Sequence, residues 1–98
     1  MKIIHLENEE QFKELIKEDK ILIDFFATWC GPCRMLGPVL EKVENGLKVI
    51  KVDTDKFEDI ARSYGVMSIP TLILIEHGNE IKRNIGFIDQ HNLEKFLK

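Results

Sequence analysis

The chain has 98 residues, 44% hydrophobic and 32% charged, with a net charge of −3 from 14 Lys and Arg against 17 Asp and Glu. That balance suits one globular domain, 1–98, large enough for a real core. It argues against a nucleic-acid surface, since no basic cluster is longer than Lys82-Arg83. The N-terminus turns acidic at Glu7, too soon for a signal-peptide core, and no apolar run approaches a membrane span. The expectation is therefore a cytoplasmic protein without a membrane partner, unless a targeting segment was removed.

In chain order, Lys2 to Leu6 reads as a short strand. Asn8 is a helix cap with Gln11 three residues on, and Phe12, Leu15 and Ile16 form the apolar stripe of a helix reaching about Glu18. Lys20 to Ala27 is almost all apolar, the pattern of a central strand buried on both faces. A second helix follows, with Leu36, Val39, Leu40 and Val43 on one stripe, running to about Glu44. Pro38 inside it predicts a kink, and Asn45-Gly46 a stop. Leu47 to Val52 is the next strand. Asp55 predicts the cap of a short helix with Glu58 as its N3 partner, buried through Phe57, Ile60, Ala61 and Tyr64 and closed by Gly65. Thr71 to Ile75 and Glu80 to Ile85 form a hairpin about His77-Gly78-Asn79. Asp89 caps a last helix that buries Leu93, Phe96 and Leu97.

The order βαβαβαββα predicts an α/β fold: a mixed, mostly parallel sheet with helices on both faces and an antiparallel edge from the last hairpin. The only two cysteines, Cys30 and Cys33, lie where the central strand hands over to a helix. Sites in open α/β sheets usually lie at that end. A thiol at a helix start faces unpaired N–H groups and the positive end of the dipole, both of which favour thiolate. Cys30 is nearer the free helix end and is therefore the expected nucleophile. Cys33, one turn along and deeper, is the expected resolving thiol. Gly31 leaves room beside the sulfur, and Pro32 suits a first helical turn. Zinc ligation is the rival for such a pair. It asks for about four ligands, and only His5, His77 and His91 are on offer, none spaced with another and all reading as surface residues.

Trp29-Cys30-Gly31-Pro32-Cys33 after Ile23-Asp24-Phe25-Phe26-Ala27 resembles the active site of the thioredoxin family. Pro38, then Tyr64-Gly65-Val66, Ile69-Pro70-Thr71, the final hairpin, Gly86 and the last helix match in order, so the resemblance covers essentially the whole chain. It implies the thioredoxin fold and a thiol–disulfide oxidoreductase that reduces protein disulfides. The electrons would sit in the cysteine pair with no bound organic cofactor, and a separate thioredoxin reductase would recharge it. It implies that Asp24 accepts the Cys33 proton through water, with Lys51 near it, although a Lys51 facing solvent at a strand end fits the sequence almost as well. It implies a cis Ile69–Pro70 bond against the disulfide. It also implies a docking surface of Trp29, Gly31, Pro32, Ile69, Pro70 and Gly86, although Trp29 equally fits core packing. Phe87 and Met67 are left out of that surface.

The chain departs from the family pattern at four places. Phe26 stands where tryptophan is usual, Gly37 precedes Pro38, residues 41–48 are about a turn short, and Met67-Ser68 precedes Ile69. These bear on partner choice more than on the thiols. The rivals are a glutaredoxin-like or disulfide-forming enzyme of the same fold, and a zinc-holding or scaffold module without catalysis. Nothing in the sequence demands more than a monomer.

Overall fold

A computed structural model describes residues 1–98. Five strands, β1 (Lys2–His5), β2 (Lys20–Phe26), β3 (Lys48–Asp53), β4 (Thr71–Glu76) and β5 (Asn79–Ile85), and four helices, α1 (Glu9–Leu15), α2 (Gly31–Lys42), α3 (Glu58–Ser63) and α4 (Gln90–Phe96), follow the order βαβαβαββα. The sheet order is β1-β3-β2-β4-β5, which makes β2 the middle strand. This explains why Ile21 to Phe25 are apolar apart from one acid. Both faces of the strand are covered, and those five residues are buried.

Period-two alternation along β2 sorts the core into two halves. Ile21, Ile23 and Phe25 join Phe12 of α1 and Ile60 and Ala61 of α3 on one face. Leu22 joins Leu36 and Leu40 of α2 and Leu93 of α4 on the other. Asp24 lies two residues beyond Leu22 and so faces α2.

The sheet is mixed, with helices on both faces, as the element order predicts. Its β1–β3 and β3–β2 pairs are parallel, and its β2–β4 and β4–β5 pairs antiparallel. Parallel pairing therefore stops at β4, earlier than a strict βαβ reading of the sequence implies. β4 enters the sheet at the end where β2 and β3 stopped, with Thr71 beside Phe25, and runs the other way.

Helix ends differ from the sequence reading where tertiary contacts intervene. Asn8 accepts from the Gln11 N–H at 2.8 Å, as a cap should, but Gln11 Oε1 reaches back to the Glu7 N–H rather than to Asn8. Helix α1 ends at Leu15, and only single-turn bonds continue to Glu18. Helix α2 continues through Pro38 and ends at Lys42, followed by Gly46 at φ 76°. Asp55 does not cap α3, contrary to its spacing: Phe57 occupies the N-cap, with no side-chain cap bond. The β4–β5 turn is built on His77 and Gly78, both at positive φ, the two-residue geometry that matches strand twist.

Candidate active site

Three chain segments converge at the end of the sheet where β2 and β3 stop. The Thr54 N–H donates to the Phe26 carbonyl at 2.8 Å and ties the two strand ends together. From Phe26 the chain turns, and the Cys30 N–H donates back to the Ala27 carbonyl at 3.2 Å. Cys30 is itself the N-cap of α2: its backbone is extended and its Sγ accepts from the Cys33 N–H at 3.2 Å. A sulfur thus takes the place that a Ser or Asp oxygen usually fills, on a helix N–H that would otherwise be orphaned. Gly31 and Pro32 are the first two helical residues, where Pro32 forfeits no ladder bond.

Cys30 and Cys33 are joined by a disulfide across three positions, with Cα atoms 5.2 Å apart. Both are buried, Cys30 at 6% exposure and Cys33 at 3%. The difference in depth expected between them is small, so the helix terminus rather than exposure sets them apart. No group of three or more His, Cys, Asp or Glu side chains is arranged to hold a metal ion.

The third segment is the loop into β4. The Ile69–Pro70 bond is cis, and Cys30 Sγ lies 4.0 Å from the Ile69 carbonyl oxygen. Pro70 is buried, and its carbonyl accepts from the Gly86 N–H at 2.7 Å. Gly86 sits at φ 96°, a conformation that side chains disfavour, so glycine has a backbone reason to stand there. The Thr71 hydroxyl donates to the Ser68 carbonyl at 2.6 Å and braces the same loop.

Beside this loop is a shallow groove of about 220 Å³ lined by Trp29, Thr54, Val66, Met67, Ser68 and Ile69. Trp29 is 67% exposed, which decides against core packing, and Met67 is 96% exposed. Met67, left out of the docking surface expected from the sequence, is one of the lining residues. Its neighbours Val66, Ile69 and Pro70 are apolar too, so residue type alone did not mark it out. Phe87 is exposed too, but it does not line the groove.

The acid expected to cap α3 belongs here instead. Asp55 accepts from the Trp29 indole N–H at 2.8 Å, across 26 positions of sequence. Asp55→Ala is therefore expected to leave stability unchanged within about 0.5 kcal/mol, not to cost the ~1 kcal/mol of a lost cap. It should instead change the emission of Trp29, the only tryptophan. Denaturant melts and steady-state fluorescence check both halves.

Behind the cysteines, Asp24 is fully buried, and neither of its carboxyl oxygens has a hydrogen-bond partner. Lys51, its register partner on β3, brings Nζ to 3.6 Å from Oδ2 with a side chain only 14% exposed. Lys51 therefore turns inward to the acid. Burial raises the Asp24 pKa from 3.8 to about 6, against the opposing pull of the Lys51 charge.

A disulfide at the mouth of a helix, a buried acid behind it and an apolar groove beside it define a protein built for dithiol–disulfide exchange. Residues 2–98 match the family model described as Thioredoxin. The thioredoxin of Chlamydia trachomatis is 43% identical over 98 residues, covering 97% of this chain and 96% of its own. That of Bacillus subtilis is 38% identical, covering 91% and 89%. Among solved structures, a mutant thioredoxin from Halobacterium salinarum has a TM-score of 0.90 at 32% identity, covering 97% of this chain and 87% of its own. The chain belongs to the thioredoxin family. It is a protein-disulfide oxidoreductase whose redox group is the Cys30–Cys33 pair, with disulfide-containing substrates and a reductase as its general partners.

Proposed function

We propose that the chain is a monomeric reductant of cytoplasmic protein disulfides in which Cys30 attacks, Cys33 resolves and Asp24 takes the proton. The observation that carries this reading is the Cys30 sulfur at the N-cap of α2, accepting from the Cys33 N–H. In the reduced protein the same donor and the helix dipole stabilise a Cys30 thiolate. That thiolate attacks one sulfur of a client disulfide. A Cys30–client S–S bond forms, the client bond breaks, and the second client sulfur leaves as a thiolate that takes up a proton. Cys33 then passes its proton to Asp24, relayed by water, and attacks Cys30 Sγ. The internal disulfide forms and the client's remaining thiol departs, so two electrons have moved from the pair to the client.

Asp24 suits the proton step because a carboxyl near 6 accepts and returns protons around neutral pH. Lys51 supports it as the one cation beside it. Trp29, Gly31, Pro32, Ile69, Pro70 and Gly86 form the surface on which an extended client segment lies, with the Ile69 backbone available for short β-type pairing. Met67 extends that surface along the groove. No helix is long and apolar enough to cross a membrane.

The deciding experiment is the reduction potential of the Cys30–Cys33 pair, by equilibration in defined thiol buffers with alkylation and mass readout. The expected value is near about −270 mV, the reference set by thioredoxin itself rather than one obtained from this structure. A value of about −120 to −180 mV would move the protein to the oxidants and isomerases.

A further inference from the structure

We propose that Phe26 is a positioning residue for proton transfer at Asp24: its ring face seats the Lys51 ammonium against the Asp24 carboxyl, at the wall of the cysteine cluster. The proposal rests on the reading of Asp24 as the proton acceptor and adds what holds that acid's only polar neighbour in place.

The backbone brings the three side chains together. Asp24 and Phe26 are two apart on β2, and Lys51 is the parallel register partner of Asp24 on β3, so all three project from the face that α2 covers. The Lys51 Nζ lies 4.7 Å from the centroid of the Phe26 ring and 3.6 Å from Asp24 Oδ2. The same Phe26 side chain packs against Ala27, Cys30 and Cys33. One ring therefore touches both the ammonium and the sulfur cluster.

Lysine has a flexible four-carbon stem and a strongly hydrated head, and it ordinarily extends that head to water. A π face within reach of the ammonium offsets part of its lost hydration, which an aliphatic side chain of similar bulk does not. The carboxylate alone is a poor anchor, because the 3.6 Å separation is too long for a hydrogen bond. Two other charged residues of β2 and β3 share this face: Asp53, the register partner of Phe26, whose Oδ1 accepts from the Asp55 N–H, and Lys20, whose Nζ donates to the Leu97 carbonyl, while the ion pair of Lys51 is with Asp24. The β4 register partner of Asp24 is Leu72. Helix α2 packs here through Leu36 and Leu40, with Cys33 its titratable contribution, and α4 packs through Leu93 and Leu97.

The test is the titration of the Asp24 carboxyl, followed by carbon NMR in the disulfide form, in Phe26→Leu, Phe26→Tyr, Lys51→Met and the Phe26→Leu/Lys51→Met double variant. Phe26→Leu should raise the midpoint by about half a pH unit, because the ammonium drifts from the carboxylate. Phe26→Tyr, which keeps the ring face, should leave it in place. Lys51→Met should raise it further, and adding Phe26→Leu to Lys51→Met should then do nothing more. If Phe26→Leu fails to fold, Phe26→Met takes the same arm.

An unmoved midpoint in Phe26→Leu overturns the seat and leaves the role of Asp24 standing. A shift that persists undiminished without Lys51 also overturns it, because the ring would then act through burial alone. The pH midpoint of client release by Cys33 should move in step with the Asp24 midpoint. Release that keeps its own midpoint overturns the proton role of Asp24, and this proposal with it.

Discussion

Cys33→Ser protein, reduced and mixed with a disulfide-bearing client, is expected to form one covalent bond to it and stop. Cys30 still attacks, but no thiol one helical turn away is left to release the product. An intramolecular thiol acts at an effective concentration far above that of any dissolved thiol, so turnover should fall by about a thousandfold or more. Intact-mass analysis should show the client joined through Cys30, and added dithiol should free it. Cys30→Ser should yield no adduct, since Cys33 lacks the position at the free helix end that favours thiolate. Traps that contain glutathione and no protein would count against a protein-disulfide reductant and favour the glutaredoxin-like reading.

Asp24→Asn should make the protein more stable at pH 8 by about 2–3 kcal/mol and leave it within about 1 kcal/mol of the parent at pH 4. Burial lifts the folded-state pKa from 3.8 to about 6, so the folded protein holds this proton more tightly than the unfolded chain does. The contribution to stability is then fully present below the unfolded value and is lost as the pH rises through about 6. Above that, an ionised carboxylate sits in the sheet with one cation nearby and no hydrogen bond. Removing the charge removes this cost, while the Lys51 left behind trims the gain. Denaturant unfolding of the disulfide forms at both pH values measures the difference, and a gap that stays constant between them would sink the assignment. The same variant should slow product release, so stability and reactivity pull this residue in opposite directions.

Much of this was legible in the residues because local and global demands agreed. The unbroken apolar run Ile21 to Phe25, with its single acid, announced a middle strand and a perturbed carboxyl. The cysteine spacing, with Pro32 one residue into the helix, placed the sulfurs at a helix mouth. Asn8 and Asp89 cap as their positions suggest, each bonding the N–H three residues on. What stayed hidden was non-local. Asp55 has the spacing of a cap, but an indole 26 positions away takes its carboxylate. Lys51 in an apolar strand reads almost as well outward as inward until β3 is set in register beside β2. Met67 gave little sign of its place on the groove, because exposure depends on how the loop before Pro70 is folded. The antiparallel entry of β4 depends on where the loop after α3 meets the sheet, beside the end of β2, which is a non-local outcome.

The alternation along β2 has one more consequence. Its odd-numbered residues hold the half of the core against α1 and α3, while its even-numbered side chains, Leu22, Asp24 and Phe26, share a side with the cysteines. Substitutions accumulating on the odd side can change how long the molecule survives in a warm or crowded cell without touching its electron chemistry. A lineage, or a designer, can therefore adapt the protein's durability on one side of a single strand and leave its reactivity to the other.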